Sequence, residues 1–152
     1  MNTIAQFAVV CGLSLAAGSA TWFIKGAPGT LVSICNPNQL RADEICPADV
    51  AGKILWVDAR SRKEWEDNGL GDSILWNLDP KEDAQLFEAE AAMRIVAAEM
   101  VIVYCGSESC GTSRQVADRI RSLDLGPDVK VLHGGWDALV HSSLLKDSNL
   151  AK

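Results

Sequence analysis

No stretch of this chain concentrates positive charge. Its 14 Lys and Arg are scattered through 152 residues against 20 Asp and Glu, for a net charge of −6. Without a basic stripe there is no electrostatic footprint for nucleic acid, so no nucleic-acid partner is expected. Histidine is scarce as well: the two present, His133 and His141, lie outside the segment that carries the reactive groups. Any chemistry there must run without a histidine base beside it. Internal repeats and low-complexity tracts are missing too. The length allows one domain with a real core plus an appendage.

Charge of either sign is absent from Met1 to Ile24. As a helix, Ile4 to Ile24 would be about 30 Å long, the thickness of a bilayer's hydrocarbon core. Trp22 and Phe23 fall where interfacial aromatics sit, and Lys25 can snorkel beyond them. Residues 1–25 therefore read as a single transmembrane anchor. A signal sequence cleaved after Gly18-Ser19-Ala20 is the alternative, opposed by the lack of Lys or Arg ahead of the apolar run. The basic residues near the anchor, Lys25 and Arg41, follow it, which leans toward a cytoplasmic C-terminal domain. Oligomeric state is left open.

Residues 26–44, with Pro28, Gly29 and Pro37 and no periodicity, read as a linker. A domain is expected over 45–146 and a short tail over 147–152. Within the domain, Pro47 to Lys53 suggests a helical turn, and Ile54 to Asp58 a buried parallel strand. Ser61 and Glu64 form a capping box that opens a helix to about Asp67. Asn68 to Ser73 is turn chemistry, and Ile74 to Trp76 a brief strand. Asp79-Pro80 predicts a helix running from there to about Glu99. A strand at Val101 to Tyr104 follows, then a helix capped by Ser113 with Val116, Ala117, Ile120 and Leu123 at helical spacing. A strand at Val129 to Leu132 and a helix from about Trp136 to Leu145 complete the order. Strands alternating with helices predict an α/β fold with a mostly parallel sheet.

Ligands of such sheets bind beyond the carboxyl ends of the strands. Two strand ends here are polar: Asp58-Ala59-Arg60, and the loop Cys105, Gly106, Ser107, Glu108, Ser109, Cys110, Gly111, Thr112. Cys105 stands at a strand end in a loop feeding a helix N-terminus, where backbone N–H groups and the helix dipole favour negative charge. That setting favours the thiolate, the nucleophilic form. The alternative is a small buried hydrophobe, a common role of free cysteine; Gly106, Ser107, Glu108 and Ser109 would be poor core neighbours for it.

Three pieces in order resemble the rhodanese-homology family. They are Leu55 to Arg60 (Leu-Trp-Val-Asp-Ala-Arg) with Glu64-Trp65, Val103 to Cys105 (Val-Tyr-Cys), and Val131 to Trp136 (Val-Leu-His-Gly-Gly-Trp). The resemblance implies a small domain with a central five-stranded parallel sheet. It matches Cys105 to the persulfide-forming cysteine, Asp58 and Arg60 to the organising first motif, and Gly134 and Gly135 to the turn before the last helix. Asn68 to Ser73 departs from the family's usual Gly-His-Ile-Pro-Gly-Ala, and the Cys105 loop, up to a cap at Ser113, is about two residues longer than compact sulfurtransferase loops. The loop also holds no cation, so a dianion would rely on backbone N–H groups.

Together with the anchor read from residues 1–25, the resemblance implies a membrane-anchored sulfurtransferase: a donor such as thiosulfate leaves a sulfur atom on Cys105, and a thiol, small or on a protein, removes it. No cofactor is expected. Cys110 could attack the Cys105 persulfide or serve as a resolving thiol. A phosphatase or arsenate-reductase reading requires an arginine six positions after the nucleophile, and that position is Gly111, with Arg114 three residues on. A tethered interaction or redox-sensing module without turnover is the non-enzymatic alternative. Four of the cysteines could nominally hold a metal, but the Cys35 to Cys46 gap does not resemble a zinc pair, and no metal is expected. In an extracytoplasmic setting Cys35 and Cys46 could form a disulfide instead.

Overall fold

Two apolar runs form the centre of the molecule. In the computed structural model, which describes residues 35–107, 111–142 and 144–147, they are β2 (Ile54–Asp58) and β4 (Met100–Tyr104). They lie side by side, parallel, with Ile54 opposite Met100 and Asp58 opposite Tyr104. Both are buried from the second residue onward, which is why they read as continuous apolar sequence and not as alternation.

The other elements are β1 (Glu44–Ile45), α1 (Arg62–Asn68), β3 (Ile74–Leu75), α2 (Ala84–Val96), α3 (Thr112–Ser122), β5 (Asp128–Leu132), α4 (Gly135–His141) and α5 (Leu144–Asp147). The sheet has five strands in the order β1-β5-β4-β2-β3, every pair parallel. This is the α/β architecture the element order predicts.

Period-two alternation of strand side chains divides the core between the two faces. Leu55, Val57, Val101, Val103 and Cys105 point to one face, where Phe87, Ala91 and Ile95 of α2 and Val116, Ala117 and Ile120 of α3 cover them. Trp56, Ile102 and Tyr104 point to the other, against Leu70 and Leu139.

Several elements differ from their sequence-based expectation. β1 takes Glu44 from the end of the stretch expected to be a linker and Ile45 from the start of the expected domain. Cys35 and Cys46 form a disulfide, both buried, and β1 between them pairs with β5 through Glu44–Val131 and Ile45–Leu132. Closing the bridge also removes both cysteines from any four-cysteine metal site.

The helix expected from Asp79-Pro80 begins later, at Ala84. Asp79 instead closes a turn, its carboxylate accepting from Lys81 N and its carbonyl from Glu82 N. Asp83 is the cap, accepting from Gln85 N and Leu86 N. The last helix is split in two at Ser142, whose backbone is extended and whose hydroxyl donates to Leu139 O. The α1 capping box is present as expected, with Ser61 and Glu64 bonded reciprocally.

The membrane span expected at 1–25 and the end of the chain from residue 148 lie outside the described residues. Among the described residues no helix is long and apolar enough to cross a membrane.

Candidate active site

The register of β2 and β4 brings the two polar strand ends together on the carboxyl edge of the sheet. Asp58 and Tyr104 are opposite each other, and Ala59 N donates to Tyr104 O at 2.8 Å.

At the β2 end a buried ionic brace forms. Asp58 is completely buried and Arg60 nearly so. The guanidinium reaches back over two residues, with Nη2 2.7 Å from Asp58 Oδ2 and Nε 3.0 Å from Oδ1. Arg60 N and the Tyr104 hydroxyl also donate to the carboxylate, at 2.9 and 2.8 Å. Arg60 Nη1 reaches the side-chain oxygen of Asn68 at the end of α1. Its flat face lies 4.1 Å from the ring centre of Trp136 and 5.6 Å from that of Tyr104, and the two rings stack on each other. A buried charge pair holds only when its remaining bonds are met, and here they are. Burial works against the Arg60 charge, but the hydrogen bonds and charge of Asp58 outweigh it and raise the pKa. Burial, then the charge and hydrogen bond of Asp58, push the Tyr104 phenol far up.

At the β4 end the chain turns into the loop. Cys105 O accepts from Trp136 N at 2.7 Å and Gly106 O from Asp137 N at 3.3 Å, so the first turn of α4 grips the start of the loop. Gly134 and Gly135 both have positive φ, +75° and +57°. A Cβ on Gly135 would run into the carbonyl oxygen of Cys105 and come within 3.2 Å of Ser107 N. Only glycine allows that approach. Trp136 thus links the two strand ends: its ring covers Arg60 and its N–H holds Cys105.

Cys105 itself is 2% exposed and closes the core cluster above Val103 and Val116. That burial suits a core cysteine, but its sulfur faces polar atoms: Sγ lies 3.3 Å from Ser113 Oγ and 3.5 Å from Ser107 O. Ser113 was expected to cap α3. The cap is Gly111, without a side-chain bond, and Ser113 sits buried in the first turn. Relieved of capping, its hydroxyl is turned to the sulfur.

Cys105 is also disulfide-bonded. Of the expected loop, Gly106 and Ser107 lie beside Cys105 and Gly111 and Thr112 begin α3. Glu108, Ser109 and Cys110 lie outside the described residues.

Arg114 points away from this centre. Its Nη2 is 2.6 Å from Glu44 Oε1 and its Nε 3.6 Å from Asp43 Oδ2. His133 Nδ1 also faces Glu44, at 3.3 Å. Both bind β1 to the domain. A guanidinium so engaged is a poor oxyanion clamp, which weighs against the phosphatase reading.

Sequence reasoning missed three members of the brace, Asn68, Tyr104 and Trp136. Each meets Arg60 from a different element. The turn after α1 also found its own construction in place of the family's usual one: Trp65 Nε1 donates to Ser73 Oγ, and the Ser73 hydroxyl donates to Leu70 O.

Comparison with solved structures finds similar folds at low identity. A protein from Bacillus halodurans matches at 23% identity and a TM-score of 0.47, over 60% of this chain and 66% of that one. An As–Sb reductase from Leishmania major matches at 22% and 0.49, over 65% and 70%. A thiosulfate sulfurtransferase from Pseudomonas aeruginosa matches at 21% and 0.48, over 67% of this chain and 18% of that one. The chain thus spans just under two thirds of the Bacillus protein and less than a fifth of the Pseudomonas enzyme. Among curated proteins there is no match. The family of rhodanese-like domains matches residues 47–142, well over half of the sequence, and the chain belongs to that family.

Proposed function

We propose that this protein is a sulfurtransferase that carries sulfane sulfur as a persulfide on Cys105. The observation that carries the reading is the setting of that sulfur. It stands at the carboxyl end of a central strand, its backbone gripped by α4 and its side chain turned to Ser113 in the first turn of α3. A helix start stabilises a thiolate, so the nucleophile needs no separate base. Once Cys105 is reduced, its thiolate attacks the outer sulfur of a donor such as thiosulfate, and sulfite leaves. A small or protein thiol then takes the sulfur. Loop N–H groups would offset the charge on donor and persulfide.

A membrane anchor at residues 1–25 would hold this chemistry at a bilayer surface. The buried Cys35–Cys46 disulfide supports placing the domain on the oxidising side, where such bridges persist, against the direction in which Lys25 and Arg41 lean.

The disulfide on Cys105 favours a second reading, a tethered thiol redox sensor without turnover. Thiocyanate formation separates the two. The dithiol-reduced full chain, given thiosulfate and cyanide, should produce thiocyanate catalytically, and Cys105→Ser should produce none. A parent chain that makes no thiocyanate with any sulfane donor supports the sensor.

A further inference from the structure

Glu44 meets both chain segments that flank Cys105. Its Oε1 accepts from Arg114 Nη2 at 2.6 Å, and its Oε2 lies 3.3 Å from His133 Nδ1. Arg114 sits in the first turn of α3, next to Ser113, whose hydroxyl faces the Cys105 sulfur. His133 opens the turn through Gly134 and Gly135 to Trp136, whose N–H holds the Cys105 carbonyl. One carboxylate thus ties the helix start on one side of the cysteine to the turn on the other.

That carboxylate is itself well held. β1 pairs with β5 through Glu44 and Val131; Val131 N donates to Asp43 O at 2.8 Å, and His133 N to Ile45 O at 3.0 Å. Lys130 Nζ adds a bond to Ala42 O, and the Cys35–Cys46 disulfide fastens the chain next to Ile45. Backbone atoms alone make the pairing of β1 with β5, which leaves the Glu44 side chain to act on α3 and the turn. It is 11% exposed, and a charge-assisted bond so far from water is strong and directional.

We infer that Glu44 is a positioning residue for Cys105: through Arg114 and His133 it sets the Ser113 hydroxyl and the Trp136 N–H around the cysteine. This rests on the sulfurtransferase reading above and adds a residue from an edge strand to that same site. A shift of about 1 Å in a reacting group can cost about 100-fold in rate. The loss on removing Glu44 therefore falls on kcat, while KM, set by the donor's contacts with the loop, stays near the parent value. A role confined to holding β1 would instead be felt only along the β1–β5 pairing.

The test compares Glu44→Ala, Glu44→Gln and Lys130→Ala in the full chain, by residue-resolved amide hydrogen exchange and by thiocyanate formation in one dithiol buffer. Lys130→Ala loosens the same segment and leaves both contacts of the Glu44 carboxylate in place. The amides of Trp136 and Asp137 donate to Cys105 O and Gly106 O, so they report the hold on the loop. In Glu44→Ala they should exchange about tenfold faster, and kcat should fall about tenfold or more at nearly unchanged KM. Glu44→Gln keeps an acceptor for Arg114 and should recover most of both. Lys130→Ala should speed exchange at Val131 and leave turnover unchanged. If Glu44→Ala speeds exchange at Val131 and His133 but not at Trp136 and Asp137, the positioning role is overturned whatever the activity. A kcat equal to the parent's, or an equal loss in Lys130→Ala, also overturns it. A parent chain that makes no thiocyanate ends the sulfurtransferase reading, and exchange at Trp136 and Asp137 still decides whether Glu44 positions Cys105.

Discussion

Asp58 and Cys105 end neighbouring strands on one edge of the sheet, and the chain treats them in opposite ways. Every lone pair the Asp58 carboxylate offers toward its neighbours is taken up: Arg60 occupies it from two sides, its own backbone included, and Tyr104 from a third. The group is fixed, dry and unavailable to a ligand. At Cys105 the backbone is what is fixed, by Trp136 N–H, while the side chain meets a hydroxyl and a carbonyl at longer range and engages in sulfur–sulfur bonding. One strand end is a brace and the other is the proposed reacting centre. Trp136 connects them: its ring covers Arg60 and its N–H holds the Cys105 carbonyl.

Breaking the brace should have the largest effect on stability. Asp58→Ala leaves the Arg60 charge buried without its partner and should cost about 3–5 kcal/mol, read from urea denaturation. Cys105→Ser, compared in the same reducing buffer, should change stability by no more than about 1 kcal/mol while abolishing thiocyanate formation. Equal destabilisation by the two would erase the distinction.

The connection between the regions can be tested at Gly135. An alanine there meets the Cys105 carbonyl oxygen and must adopt a φ of +57°. Gly135→Ala should cost roughly 1–3 kcal/mol and slow thiocyanate formation even in chain that remains folded. Unchanged turnover by the folded fraction would show that the grip of α4 on the loop does not matter to the reaction.

The smallest effect is a pH dependence confined to the brace. Burial, reinforced by Asp58, keeps the Tyr104 phenol neutral well above its ordinary pKa of about 10. Its contribution is fully present below that pH and is lost as pH rises from there toward the raised folded value, because the unfolded chain releases the proton first. Tyr104 is the one tyrosine in the sequence, so phenolate absorbance reports it alone. The signal should rise only together with unfolding, and Tyr104→Phe should flatten the alkaline limb. Phenolate forming in the folded chain at its usual pH would mean the brace is open to water.

Much of this layout was legible in the sequence, and the exceptions share a cause. β2 and β4 announce themselves as apolar runs because the sheet is covered on both faces, and α3 through the spacing of Val116, Ala117 and Ile120. The polar strand ends at Asp58 and Cys105 could be placed on one edge by the parallel topology alone. β1 could not be seen: two residues carry no periodicity, and Glu44–Ile45 becomes a strand only through its pairing with β5 and the nearby disulfide. The start of α2 was obscured by two aspartates, Asp79 and Asp83, each able to cap. In the site, Asn68 and Tyr104 carry no local signal of their roles, since each meets Arg60 from another element. Trp136 was visible as the start of the last helix and the end of a family-like phrase, and neither points to Arg60. Ser113 was read as a cap because local chemistry favours that use; its contact with Cys105 depends on how the loop folds back.

The central claim is that Cys105 accepts sulfur, and isotopic labelling tests it most directly. Thiosulfate labelled in its outer sulfur is given to dithiol-reduced Cys110→Ser, and the peptide containing Cys105 is weighed. The expected result is one labelled sulfur atom on Cys105, removed by cyanide as labelled thiocyanate. Label absent from that peptide, or found on another cysteine, would contradict the account.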